Sequence, residues 1–375
     1  MSRVLERRRQ LLHLMREFTL GKGYFTTSEI QAAAGVPRST AQDWINRLIE
    51  ERCVVVRKEQ HGRLPAQYAS VSVMPTSACR KIFTTADGNR IEIYHDCMSP
   101  ACAAFCGFHH TLAQGVLTSV TRDGTLLRES AFLGEREADI GLFPSSAVGV
   151  VGIEREGEYV VQRIRCIGGP AYSLTDMMAL AKGVHGIRID RNGPVVEGRV
   201  YTRALTRLTI GIDDTDSREG GATFALALAL YQHLGRMEGI LPITHQVAML
   251  NPEITEKTGG NSCSFIQVAI DADLFSDLPE KICKFVADEA HSAEWGVAIK
   301  KGLRTSPRLR KFAQDARTGV VGKEAAENLA REEGIIVTGG RGIIGAVAAV
   351  CLADLPIEIL LDPRQKIPVR PEDSR

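Results

Sequence analysis

Three carboxylates and a hydroxyl occupy four consecutive positions, Asp213, Asp214, Thr215 and Asp216, within the stretch IGIDDTDSREGGAT at Ile210–Thr223. Acids this close repel one another unless a cation neutralises them. Hard oxygen donors beside a hydroxyl suit Mg²⁺ carrying a nucleotide phosphate. The flanking residues say what must position them. Leu205–Ile212 (LTRLTIGI) is apolar and β-branched, which predicts a buried strand. Ala222–Leu234 (ATFALALALYQHL) is rich in strong helix formers, and Gly220 and Gly221 lead into it. The loop then lies at a strand's carboxyl end and a helix's amino end, where anions are favoured. A plain polar turn, with Asp213 or Asp214 capping the helix, accounts for the same residues.

A second constellation is HDCMSPACAAFCGFHH at His95–His110. If Pro100 starts a helix, Cys102, Cys106 and His109 share one face at i, i+4 and i+7, with Cys97 just ahead. Thiolate and imidazole together suit Zn²⁺ or an iron–sulfur cluster, although this spacing fits no standard template. Closely packed or redox-active thiols of a buried helix are the other reading. Cys53, Cys79, Cys263, Cys283 and Cys351 stand alone and read as core residues. A third segment, LNPEITEKTGGNS at Leu250–Ser262, offers Lys257 to neutralise a phosphate. Gly259 and Gly260 there would let backbone amides approach, and Asn261 could orient the ligand. A hairpin loop with solvated ends is the alternative. Gly340–Gly345 spells GxGxxG between a predicted strand, Gly334–Thr338, and a predicted helix, Ile344–Leu352. Only 30 residues follow Gly345, too few for further units of a dinucleotide fold. Gly342 and Gly345 therefore read as close helix–strand packing or as a wall of the nucleotide site.

These segments carry a resemblance. IGIDDTDSREGGAT resembles the GIDDTD signature of the archaeal tRNA-Ile 2-agmatinylcytidine synthetases. LNPEITEKTGGNS is similar to that family's LNP-x-I-x-x-KT-x-GN segment, with Asn251, Pro252, Lys257, Thr258, Gly260 and Asn261 in place. Arg341–Ala349 (RGIIGAVAA) resembles its IGA-x-AA segment. The three blocks keep the family's order across roughly the last 170 residues. The resemblance implies that Asp213, Asp214 and Asp216 hold Mg²⁺ and ATP phosphate, and that Thr215 is a phospho-acceptor. It also implies that Gly220, Gly221, Asn251, Lys257, Thr258, Gly260, Asn261, Gly342 and Gly345 line the nucleotide site. In that synthetase the signature lies near the N-terminus and is followed by an oligonucleotide-binding barrel and a zinc ribbon. Here some 200 residues precede it and no CxxC pair lies near the C-terminus. The layout looks more like the methanogenesis marker protein 11 group.

The 375 residues have room for two or three domains. Hydrophobic content of 44% with 24% charged residues is that of a soluble globular protein. No window approaches a membrane span, and the N-terminus lacks the apolar core of a secretory signal. Nine cysteines without export point to thiols or metal ligands, so the chain reads as cytoplasmic. The net charge of +1 hides an uneven distribution: residues 1–70 hold twelve Lys/Arg against seven Asp/Glu.

A basic N-terminal module suggests a nucleic-acid partner, DNA or RNA. Residues 1–72 read as a winged helix-turn-helix. Val4–Leu20 is an amphipathic helix, Thr26–Ser28 caps Glu29–Ala34, and Gly35 turns into Arg38–Glu51, whose Ala41, Trp44, Ile45 and Leu48 face inward. Arg38, Ser39, Thr40, Gln42 and Asp43 would front the recognition helix, with Arg57, Lys58 and Arg63 on the wing. A module that only binds protein or forms a homodimer is the competing reading.

In residues 73–204 strands are expected at Arg90–Tyr94, Ala147–Ile153 and Tyr159–Ile167, and helices at Ala103–Val116 and Ser173–Lys182. LAQGV at Leu112–Val116 echoes LAKGV at Leu180–Val184, a faint sign of duplication. Lys300–Arg317 carries seven basic residues, readable as a solvated helix face or as a phosphate or RNA contact.

The expected fold is a multidomain α+β / α/β protein. It has a winged helix-turn-helix over 1–72, an α+β domain with the Cys/His segment over 73–204, and a kinase-like nucleotide-binding α/β domain over 205–375. The leading function is an ATP- and Mg²⁺-dependent kinase-like or ligase-like enzyme that recruits nucleic acid. The rival is a transcription regulator whose GIDDTD domain senses a nucleotide or metabolite. A third is a metal- or redox-handling assembly factor built on the cysteine-rich segment.

Overall fold

The computed structural model describes residues 3–62, 64–73, 78–168, 178–255, 257 and 260–368. The chain divides into two compact units, Met1–Thr76 and Ser77–Arg375.

The first unit begins with three helices, α1 (Arg3–Lys22), α2 (Thr27–Ala34) and α3 (Arg38–Glu50). An antiparallel pair follows, β1 (Val54–Lys58) with β2 (Gln67–Ser70), in register Val54↔Ser70 and Val56↔Tyr68. Local signals fix the helix ends. Thr26 and Glu29 form a reciprocal capping box on α2, and Gly35 closes it in the left-handed conformation. Leu11, Met15, Phe25, Ile30, Ile45 and Leu48 make the core, while Trp44 is only half-buried beneath the Arg47 guanidinium.

The second unit is organised by one strand. Its first elements are β3 (Cys79–Asp87), β4 (Arg90–Cys97), α4 (Pro100–Ala113), β5 (Leu117–Asp123), β6 (Leu126–Phe132) and β7 (Gly134–Glu135). Then come β8 (Val148–Glu156), β9 (Tyr159–Ile167), β10 (Val184–Asn192) and the 19-residue β11 (Val195–Asp213). The start of β11 pairs antiparallel with β9 and β10. Ala204 and Leu205 then pair parallel with β3, and Thr206 onward leaves for a different set of partners.

The faint repeat has a structural counterpart. Strand order β5–β6–β4–β3 in the first half is matched by β10–β11–β9–β8 in the second. Gly115 and Gly183, the glycines of the two echoed pentapeptides, both have positive φ. A Cβ on either would lie 2.2 Å from the Val150 carbonyl oxygen or 2.4 Å from that of Ile82, so only glycine fits. Most of the helix expected over Ser173–Lys182 lies outside the described residues.

The remaining elements are α5 (Thr223–Leu234), β12 (Ile240–Met249), β13 (Ser262–Ile270), α6 (Leu278–Glu289), β14 (Gly296–Lys301), α7 (Pro307–Thr318), α8 (Lys323–Glu332), β15 (Ile336–Gly339), α9 (Ile343–Leu352) and α10 (Ile357–Leu361). The end of β11 lies between β13 and β14, antiparallel to both, with β12 and β15 outside them. Leu208, Ile210 and Ile212 pack on α5 and α6. On the opposite face Phe265 and Ala298 meet the apolar helix α9, itself backed by α7 and α8. A Cβ on Gly211 would fall 2.0 Å from the Ala346 carbonyl oxygen, so the α9 backbone lies directly on β11.

Two charged features contradict a simple surface reading. Lys300, Arg310 and Arg317 are buried, which corrects the solvated-face expectation at these three positions of the basic run. Arg310 donates to the Cys351 and Ala353 carbonyls at the end of α9, and Arg317 to the Ile359 and Gln365 carbonyls. A buried guanidinium needs such acceptors. Arg308 and Lys311 do face solvent, paired with Glu332 and Asp315. Arg207, 1% exposed, binds Glu92 at 2.8 Å and Asp354 at 2.8 Å, and Arg128 bridges the same two acids.

Candidate functional site

β11 ends at Asp213, and the acidic loop turns from there towards α5. Asp214 sits in the left-handed region at φ 56°, a conformation uncommon outside glycine and tolerated best by Asp and Asn. Burial pushes the carboxyls of Asp213 and Asp214 upward, Asp213 the further. Asp216 adds to both, and Glu294 to Asp214, while Arg341 opposes the rise at Asp214. Both acids are therefore held at a cost that a bound cation would relieve.

The cleft before this loop has a volume of about 620 Å³ and is lined from all three sequence blocks. Asp213, Asp214, Asp216 and Gly221 come from the first, Lys257, Gly260 and Asn261 from the β12–β13 loop, and Gly342 and Gly345 from the start of α9. Gly345 has to be glycine, because a Cβ there would fall 1.6 Å from Asp213 Oδ2. The Asp213 carboxylate thus rests on the first turn of α9, whose positive end favours it.

Other expected residues serve the frame. Thr215 is 1% exposed and is not among the cleft-lining residues. Its hydroxyl donates to Thr223 Oγ1 at 3.1 Å, and Thr223 in turn donates to Asp216 at 3.0 Å. Gly220 closes a tight turn with Ser217 and stays out of the cleft. Asn251 is buried: it donates to the Gly319 carbonyl at 2.9 Å and accepts from the Glu253 amide at 3.0 Å, while Asn261 donates to its carbonyl at 2.7 Å. Lys257 reaches the Pro252 carbonyl. Thr258 lies outside the described residues. Asn251→Ala should leave that carbonyl and amide without a partner and lower stability by about 1–3 kcal/mol, read as a lower thermal midpoint.

Glu294 and Arg341 also line the cleft, and Glu294 accepts the Arg341 amide at 2.8 Å. Phe224, Ile344, Val320 and Val321 supply an apolar wall. Arg341 heads the third block in sequence, whereas nothing in the sequence around Glu294 signals its position.

The Cys/His segment does not assemble as a metal centre. Among the described residues no group of three or more His, Cys, Asp or Glu side chains is arranged to hold a metal ion. Cys97 and Cys106 are buried, Cys102 is half-buried, and His109 turns its Nδ1 to Ser146 Oγ at 3.3 Å. In place of a metal, His95 and His110 flank the buried Glu129.

In the first unit Arg38, Ser39, Arg57 and Lys58 are exposed and Thr40 is half-buried. Gln42 is committed internally: it accepts from Thr27 at 2.7 Å and donates to Asn46 at 2.9 Å. Arg57 donates to the Gly23 carbonyl at 3.0 Å. Arg63 lies outside the described residues. Among the described residues no helix is long and apolar enough to cross a membrane.

An acidic loop at a strand end, a lysine-bearing hairpin loop and a glycine-rich helix start, all facing one cleft, define the GIDDTD-signature class of α/β domain. Residues 209–273 match the TiaS TCKD domain model. Over this region the chain is similar to the TiaS family. It is 37% identical over 159 residues to the tRNA 2-agmatinylcytidine synthetase TiaS of Methanosarcina acetivorans, covering 38% of this chain and 35% of that protein. For the Pyrococcus horikoshii synthetase the identity is 33% over 150 residues, with 38% and 35% covered. The chain thus spans about a third of the length of these curated synthetases. An uncharacterized protein of Methanocaldococcus jannaschii is 28% identical over 280 residues, covering 71% of this chain and 90% of that one. Among solved structures, the complex of TiaS with its tRNA and ATP aligns over 39% of this chain and 36% of that one, at 28% identity and a TM-score of 0.36.

Proposed function

We propose that the chain is an ATP- and Mg²⁺-dependent phosphoryl-transfer enzyme, kinase-like or ligase-like, acting on an RNA of the tRNA class. The observation that carries this reading is the meeting of three segments, far apart in sequence, on one cleft. The relatives named for tRNA modification support it.

The residues fit the cofactors. Mg²⁺ is commonly held by one or two carboxylates with phosphate oxygens and water completing its shell. Asp213 and Asp214, whose charge is penalised as they stand, would serve as that pair, with Asp216 tied to Thr223 behind them. Bound there, the ion would neutralise charge on the transferred phosphoryl group. Lys257 and Arg341 would face the phosphates, Gly260, Gly342 and Gly345 would let backbone approach them, and Phe224 and Val320 would cover the base. Thr215 could take up phosphate only once its hydroxyl left Thr223. The first unit, read as a winged helix over residues 1–72, would bring the nucleic acid through Arg38, Ser39, Thr40, Arg57, Lys58 and Arg63. Gln42 would hold the helix that presents them.

The test is incubation with γ-labelled ATP and Mg²⁺, wild type against Asp214→Asn and Thr215→Ala. Turnover should fall about 10²–10³-fold in Asp214→Asn, the scale of removing one preorganised charge-stabilising group. Label retained by Thr215→Ala would move the acceptor off that residue. ATP bound by the wild type with neither label nor hydrolysis would overturn catalysis in favour of a nucleotide-sensing regulator.

A further inference from the structure

Cys79 and Cys97 face each other as the end pair of the β3–β4 ladder, where the register slips between Cys79 and Lys81. Both are buried, and their thiols are in hydrogen-bond contact. That contact pulls Cys97 down against the effect of burial, helped by His95, and pushes Cys79 up. His95 Nδ1 lies 3.9 Å from Cys79 Sγ, and its Nε2 lies 3.5 Å from Glu129 Oε2. The other Glu129 oxygen holds His110, and Gln162 donates to the carboxylate at 3.3 Å. Burial disfavours charge at both Glu129 and His95, yet the two imidazoles keep Glu129 well below the usual range, and Glu129 raises His95. Small core residues would explain the cysteines alone. They do not explain a buried thiol–imidazole–carboxylate sequence with a second thiol at its end.

We infer that Cys79 and Cys97 form a hydroperoxide-responsive dithiol in which His95 accepts the proton of the second thiol. The site is independent of the phosphoryl-transfer reading. Cys97 thiolate attacks the terminal peroxide oxygen; the S–O bond forms, the O–O bond breaks, and hydroxide leaves to become water with the proton lost from Cys97. Cys79 then gives its proton to His95 and attacks the sulfenic sulfur. The S–S bond forms, the S–O bond breaks, and the departing hydroxide takes the proton back from His95. Two thiols are oxidised and one hydrogen peroxide is reduced to two waters. Glu129 stabilises the imidazolium between the two proton transfers. The ladder end is where strands part most readily, which gives a small oxidant its way in.

The full chain, exposed to equimolar hydrogen peroxide and quenched by alkylation in denaturant, should carry two alkyl groups fewer than the unexposed chain. It should yield a Cys79–Cys97 cross-linked peptide that dithiothreitol reverses. His95→Gln should form it at least tenfold more slowly, and Cys351→Ser, remote in the other core, at the wild-type rate. Cys97 found as sulfinic acid with Cys79 alkylated, or joined to Cys106, would overturn the pair; equal rates in His95→Gln would overturn the proton transfer. Peptide mapping of the wild type decides the first point even if a variant fails to fold.

Discussion

Gly345→Val should abolish nucleotide binding, lowering affinity at least 100-fold by titration calorimetry. Even the first added carbon would stand 1.6 Å from Asp213 Oδ2 and 2.5 Å from its Cγ, inside the volume of the carboxylate. Asp213 cannot yield easily. Its own carbonyl oxygen would lie 2.7 Å from a Cβ on Gly342, and β11 behind it is held by β13 and β14. Either the acid leaves the cleft or the α9 start lifts from the sheet, and both dismantle the site. Gly260→Ala is the comparison within the same cleft. A Cβ there would meet only Met249 Cε at 3.9 Å, so that variant should keep the wild-type thermal midpoint. If Gly345→Val binds ATP normally, the Asp213–α9 contact has no part in the site.

Asp354→Ala should cost about 3–5 kcal/mol at neutral pH, the range for stripping one partner from a buried ionic network. Asp354 faces Arg128 at 2.7 Å, Arg207 at 2.8 Å and Gln267 at 2.8 Å, and its loss leaves two buried guanidinium groups sharing Glu92. Burial raises the Asp354 carboxyl, but Arg128 and Arg207 overcome that and hold it well below its usual range. The sign follows from linkage: a depressed carboxylate contributes its stability in full above its unfolded pKa, near 4, and loses it as pH falls through the lower folded value. Urea midpoints measured from pH 7 down to about pH 3 should therefore decline more steeply for wild type than for Asp354→Ala. Parallel curves would remove Asp354 from the acid response.

The parts legible in sequence are the local ones. The strand before Asp213, the helix after Gly221, the loop at 250–262 and the helix at 343–352 each announce themselves through periodicity or glycine placement. Their meeting is signalled by residue types suited to one phosphate-bearing ligand. What stays hidden depends on distant partners. Glu294 joins the cleft through the Arg341 amide, and Arg310 and Arg317 look like surface charges until the carbonyls they serve come round from 41 or more residues away. The Cys/His segment misleads for the same reason. Helical spacing aligns Cys102, Cys106 and His109, but Ser146 takes His109, and Cys79, which reads as a lone core residue, is the neighbour of Cys97.

β11 belongs to the second of the two sheet halves with matching strand order, pairs with β3 of the first, and continues into the layer that carries the acidic loop. A strand shared in this way behaves as a common beam. At roughly 3.3 Å per residue its 19 residues reach about 60 Å, with Asp213 at the far tip. Loosening its ladder with β9 or β10 removes support from the same backbone that aims the carboxylates, and charge introduced at the tip strains the same rail from the other end. Tyr201 and Thr202, far from the cleft, lie on the same strand that carries Asp213 at its end.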